Sequence, residues 1–88
     1  MEKRIGTILI LVEDKGVIPR LNQILSQHGD AIMARQGLAL PERNYSLISL
    51  ILEGTTDQLG SLSGQLGRLR GVHVKSVLLK TQEQDEEN

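Results

Sequence analysis

The chain contains no cysteine, no phenylalanine and no tryptophan, and Tyr45 is its single aromatic residue. Without cysteine, disulfides, thiolate metal sites and cysteine nucleophiles are excluded together. One tyrosine cannot form the row of aromatic platforms on which single-stranded nucleic acid stacks. No apolar run approaches the roughly 18 residues of a membrane span. The start Met1-Glu2-Lys3-Arg4 lacks a following cleavage pattern of a secretory signal, so a cytoplasmic protein is expected.

What is present points to folding. Eighty-eight residues admit one small domain. Leu, Ile and Val together make up about a third of the chain, above the ~20% below which chains tend to stay disordered. The core is therefore expected to consist of branched aliphatics.

The net charge of −1 conceals an uneven distribution. Residues 81–88 hold Glu83, Asp85, Glu86 and Glu87 with no base and no apolar side chain, and read as a disordered, solvated acidic tail. Residues 1–80 carry ten bases against seven acids, and form the one domain. A second reading of the tail is that it shields a basic face of this body. A body of +3 whose longest basic cluster is the spaced pair Arg68 and Arg70 makes a weak case for nucleic acid, which needs several phosphate contacts.

Ile5 to Val12 is β-branched and apolar almost throughout, and reads as a strand. Glu13-Asp14-Lys15-Gly16 breaks it. Val17, Leu21, Ile24, Leu25 and His28 then share one helical face, with Pro19 tolerable only in the first turn and Gly29 as a stop. Ala31 to Leu40 reads as a second strand, with Ile32, Ala34, Leu38 and Leu40 on one face. Pro41-Glu42-Arg43-Asn44 leads to a third strand, Tyr45 to Glu53, and the short link suggests a hairpin. Gly54-Thr55-Thr56-Asp57 supplies capping residues for a helix with Leu59, Leu62, Leu66 and Leu69 on one stripe. Gly71 ends it, and Val72 to Lys80 forms the last strand.

The order β-α-β-β-α-β predicts an α+β, ferredoxin-like fold, a four-stranded antiparallel sheet with both helices on one face. Such a sheet has one uncovered face, which is polar in a monomer. Here the first and third strands are apolar in both parities, so a second subunit is expected to cover that face. Parity alone does not decide whether Ile10 and Leu50 lie on the open side.

No catalytic constellation is visible, and no enzyme is expected. None of the six serines has a neighbouring histidine, and no acid pair stands out. No metal and no cofactor are expected either. His28 sits at a helix C-terminus, where a partial positive charge suits the dipole, and His73 alternates with Val72 and Val74 in the last strand. Two features remain as candidates. Asp14, Lys15 and Gly16 lie between strand end and helix start, where backbone N–H groups favour a small anionic effector; the alternative is a plain tight turn. Gly60, Gly64, Gly67 and Gly71 stack on one side of the second helix, away from its leucines, and mark a smooth face that a partner backbone can approach; the alternative is a weak, exposed helix.

With these elements in place, the sequence resembles ACT-type regulatory domains. More narrowly, it is similar to the small stand-alone ACT-like proteins described as iron-only hydrogenase system regulators, related in fold to the C-terminal domain of the nickel-responsive repressor. The matching stretches are Met1-Glu2-Lys3-Arg4, Val12-Glu13-Asp14 and, above all, Leu62-Ser63-Gly64-Gln65-Leu66-Gly67 through Gly71-Val72-His73-Val74-Lys75-Ser76-Val77. The resemblance implies a regulatory, ligand-responsive, oligomeric module. It departs from the amino-acid-binding ACT pattern, since Asp14-Lys15-Gly16 lacks the proline and is one residue shorter. Nickel sensing does not carry over to a chain without cysteine, and the repressor's DNA-binding segment has no counterpart. Two expectations follow: an effector-binding regulator with its site near Asp14–Gly16, or a structural module that docks on a partner enzyme, such as a hydrogenase maturation component, through the glycine face.

Overall fold

A computed structural model of the chain describes residues 2–80. The expected tail, 81–88, lies outside them. The order is β1 (Arg4–Val12), a 3-10 turn (Lys15–Val17), α1 (Ile18–Gln27), β2 (Ile32–Leu40), β3 (Tyr45–Gly54), α2 (Thr56–Gly67) and β4 (Val72–Leu78). The strands form one antiparallel sheet in the order β2-β3-β1-β4, with both helices on one face. This is the β-α-β-β-α-β arrangement expected from the sequence.

Local chemistry explains the element ends. Pro19 falls in the first turn of α1, where its missing N–H has no intrahelical partner. Thr55 caps α2 reciprocally: its hydroxyl accepts from the Gln58 amide at 3.1 Å, and its own amide donates to Gln58 Oε1 at 2.8 Å. The β2–β3 hairpin turns through Asn44, whose φ of 57° is one that asparagine tolerates better than most residues.

Paired strand positions share a sheet face, so the register sorts the side chains. Ile8 pairs with Leu50, Ile10 with Ile48, and all four are buried beneath the helices. Leu21, Ile24 and Leu25 of α1 and Leu59, Leu62 and Leu66 of α2 close the core from above. Each fully buried Leu or Ile contributes roughly 1.5–3 kcal/mol relative to exposure. Ile10 and Leu50 thus belong to the covered face. The open face carries Ile5, Leu9 and Leu11 of β1, Leu47 and Ile51 of β3, Leu38 of β2 and Val77 of β4.

Three local expectations need correction. Ile32 does not share a face with Ala34, because a bulge between them sets Ile32 opposite Leu52 on the covered side and Ala34 opposite Ile51 on the open side. The first helix does not begin at Val17, since a 3-10 turn precedes α1. The helix α2 ends at Gly67 rather than Gly71, so the helical glycine stack has three members. Leu69, past the helix end, still packs on the core.

Candidate functional site

The two crossover turns, after β1 and before β4, meet at one end of the sheet. The Glu13 amide donates to the Gly71 carbonyl at 2.7 Å, which extends the β1–β4 ladder past Val12. Gly71 is left-handed, with φ of 69°, and a Cβ there would stand 2.8 Å from Asp14 Cβ and 3.1 Å from its amide nitrogen. Glycine is required at this point both by dihedral and by space. Gly16, by contrast, has no left-handed φ; the residue that needs glycine's freedom is Gly71.

Asp14 does not cap α1. Its Oδ1 accepts from the Gly16 amide at 2.9 Å and so caps the 3-10 turn, while Val17 opens α1 with no side-chain cap. The amide expected to meet an anion is therefore already occupied by the chain's own carboxylate. Lys15 and Arg70 supply positive charge at this junction, Arg70 Nε lying 4.0 Å from Asp14 Oδ2 with its side chain almost wholly in solvent. An exposed pair at that distance is worth little.

His73 has a specific partner. Its Nε2 lies 2.9 Å from Glu13 Oε1, joining residues sixty apart in sequence. The bond from His73 holds the Glu13 carboxyl below its usual range, slight desolvation opposes this, and the nearby His73 charge and the neighbouring Tyr45 hydroxyl act with it. Counting the antiparallel register of β1 and β4 from the sequence would have found this contact, since Leu11 faces His73. His28 is the C-cap of α1, with Nδ1 2.9 Å from the Ile24 carbonyl. Among the described residues, no group of three or more His, Cys, Asp or Glu gathers in a way that could hold a metal ion.

The glycine face expected from the sequence is separate from this junction. A Cβ added at Gly60 or Gly67 would meet nothing within 4 Å, and one at Gly64 would meet only the Arg68 guanidinium at 3.8 Å. Gly67 and Ser63 instead form one wall of a groove of about 610 Å3 that straddles β4, with Leu9, Leu11, His73 and Lys75 on its other side. The open sheet face was expected to be apolar and is: Leu9 and Ile51 are 47% exposed, and Val77 is 60% exposed.

Comparison with known proteins decides the family. A family model described as "TM1266-like: Iron-only hydrogenase system regulator, putative" matches residues 4–76. The chain belongs to this family. The solved structure of the uncharacterized protein TM1266 from Thermotoga maritima is 36% identical to this TM1266-like chain, covers 90% of it and 100% of its own length, and superposes with a TM-score of 0.86. The ACT domain of the GTP pyrophosphokinase of Chlorobium tepidum is 24% identical over 94% of this chain and 93% of that domain, with a TM-score of 0.65. The C-terminal domain of MgtC from Mycobacterium tuberculosis is 14% identical over 86% of this chain and 87% of its own, with a TM-score of 0.64. These last two show the ACT-like fold alone. None of the curated proteins compared with the chain matches it. Among the described residues, no helix of this TM1266-like protein is long and apolar enough to cross a membrane.

Proposed function

We propose that this TM1266-like chain is a non-enzymatic regulatory module of iron-only hydrogenase systems that works as an oligomer, with a second copy covering the open sheet face. The observation that carries the reading is the row of half-exposed Ile5, Leu9, Leu38, Ile51 and Val77 on a sheet whose two helices both lie on the other side. Contiguous apolar surface of this kind marks interaction sites in soluble proteins. Sedimentation of the intact protein at micromolar concentration tests it. An assembled species is expected, and Ile51→Asp is expected to lower its mass while the far-ultraviolet spectrum is kept. A wild-type protein that sediments only as a monomer overturns the reading.

The regulatory signal in this reading is a small anionic effector at the junction of Asp14, Lys15 and Gly16. Because Asp14 already holds the Gly16 amide, the effector either displaces that carboxylate or relies on the Lys15 and Arg70 side chains. A thermal-shift screen against amino acids, nucleotides and metal ions identifies it, and Gly16→Val and Arg70→Ala are expected to abolish the shift. A shift that survives both places the effector elsewhere. The second reading, docking on a partner enzyme through Gly60, Gly64 and Gly67, is favoured by the empty space around these glycines. Capture of one specific enzyme that is lost in Gly64→Arg, with no response to any small molecule, supports it over the first.

A further inference from the structure

The register sets the open face out in rows. Across the middle, Gln36, Ser49, Leu9 and Lys75 stand side by side on β2, β3, β1 and β4. Mainly apolar rows flank it, one running from Ala34 to Val77 and the other from Leu38 to His73. Thr7, in the first of these, spends its hydroxyl within the chain, on the Leu50 carbonyl at 2.8 Å. The middle row thus ends in Gln36 at the β2 edge and in Lys75 at the β4 edge, both exposed. Among the described residues, no acid lies within ion-pair distance of Lys75.

Size and charge restrict how a second copy can lie on this face. Four strands about 4.8 Å apart give the face an outline of roughly 500 Å2. Two such patches together reach about the 1,000 Å2 that a specific interface needs, so the copies must overlap almost fully. Packed sheets keep their strands within about 30° of alignment or cross near 90°, and a two-fold between them uses the same face twice. Three orientations follow, and Lys75 tells them apart. Crossed strands carry Lys75 inward over the partner subunit's Ile51 or Leu47, setting a charge on the apolar centre. Aligned strands with the axis across them set Lys75 on the partner subunit's Lys75. Aligned strands with the axis running along them, between β1 and β3, exchange the two edges and bring Lys75 to the partner subunit's Gln36. Sheet twist displaces this middle row least, because it passes through the centre of the face.

We propose that the second copy docks in this last orientation, β2 over β4 and β4 over β2, and that Lys75 is the residue that selects it. This orientation rests on the sheet-face reading above and deepens it. The Gln36 side-chain carbonyl accepts from the Lys75 ammonium, and the two-fold makes that contact at both ends of the row. The charge stays at the rim, where the lysine stem covers apolar surface and its head reaches water. The other two orientations bury or oppose that charge, so one side chain at the edge excludes them both.

Changing the charge at position 36 reads the orientation. Gln36→Glu sets a carboxylate against each Lys75 and is expected to tighten the assembly about fivefold by sedimentation equilibrium, the effect of two exposed ion pairs. Gln36→Lys is expected to loosen it by a similar factor, and adding Lys75→Gln to that variant is expected to restore it. With the axis across the strands, Gln36→Glu loosens the assembly instead, because position 36 then meets itself. The absence of cysteine permits a second measurement that leaves Lys75 in place. The double variant Ala34→Cys/Val77→Cys is expected to cross-link between chains with a short bismaleimide, whereas either cysteine alone is not. Within one chain the two lie three strand spacings apart, about 14 Å, too far for the reagent. Failure of that cross-link, a cross-link in Ala34→Cys/Leu38→Cys in its place, or equal dissociation of wild type, Gln36→Glu and Gln36→Lys overturns the orientation. The sheet-face reading survives each of these results if Ile51→Asp still lowers the assembled mass. A wild-type protein that is only a monomer overturns both.

Discussion

The two faces of the sheet are made of the same side chains and meet opposite surroundings. Ile8, Ile10, Leu50 and Leu52 lie within 1% of full burial beneath the helices. Leu9 and Ile51 sit one residue away, with the same chemistry, and are about half exposed. Hydrophobicity therefore does not distinguish the faces; reach does. Two right-handed crossovers put both helices on one side, and nothing in the described chain is left to cover the other. What differs between the faces is whether the partner for burial is in the same chain.

The largest expected contrast comes from one substitution made at two adjacent positions. Leu50→Asp buries a carboxylate with no partner, a cost above about 4 kcal/mol and a large part of the roughly 5–15 kcal/mol that holds a domain together. That variant is expected to lose its cooperative melt by circular dichroism. Ile51→Asp is expected to keep the melt and lose assembled mass. If both variants unfold, or both keep their full mass, the contrast between the faces fails.

Leu62→Ala and Leu9→Ala sharpen the same contrast with milder changes. The buried Leu62 is expected to cost about 2–5 kcal/mol, as is usual for Leu→Ala in cores, and Leu9 less than about 1 kcal/mol, each read by urea denaturation of the Ile51→Asp protein.

These adjacent positions show where sequence reading stops. The element order was legible because each element carries its own signal: the Thr55 cap, the leucine stripe of α2, the β-branched run of β1. The faces were not legible, because β1 and β3 are apolar in both parities and parity is the only facing signal a strand has. The bulge at Ile32/Ala34 shifted β2 by one residue with no glycine or proline to announce it. The break after β1 at Asp14–Gly16 was legible, but the left-handed glycine that this turn requires is Gly71, across the junction. The reason is physical: the constraint arises from the approach of Gly71 to Asp14, a contact between turns far apart in sequence. The Glu13–His73 pair escaped notice for the same reason.

At the end of the sheet the expected effects are smaller. Gly71→Ala combines a left-handed φ with a Cβ 2.8 Å from Asp14, and is expected to cost about 1–3 kcal/mol in urea. Gly60→Ala meets open space inside a helix and is expected to stabilise by up to about 1 kcal/mol, provided that face is unoccupied in solution. A destabilised Gly60→Ala oligomer points to a partner on the glycine face.

The smallest effect is that of pH. The Glu13 carboxyl titrates below its ordinary 4.5 in the folded chain, so its contribution is present above that value and fades as pH falls through the lower, folded one. Acid melts of the wild type and Glu13→Gln are expected to differ slightly above 4.5 and to converge as pH falls through the lower, folded value. Equal stability at every pH removes Glu13 from the account of the junction.

The lone aromatic residue gives this corner a further property. With one tyrosine and no tryptophan or phenylalanine, all of the protein's near-ultraviolet emission originates at Tyr45, which follows the Val12–Ser46 pair of the β1–β3 ladder and so stands at the Glu13 corner. The emission of a phenol depends on the carboxylates and charges around its ring, so it shifts when those neighbours move. The junction of the two crossover turns is thus optically addressable without a label: an effector that recruits Glu13 or a neighbouring copy that presses on this corner changes the quantum yield of one known side chain, while events at the far end of the sheet leave its emission unchanged.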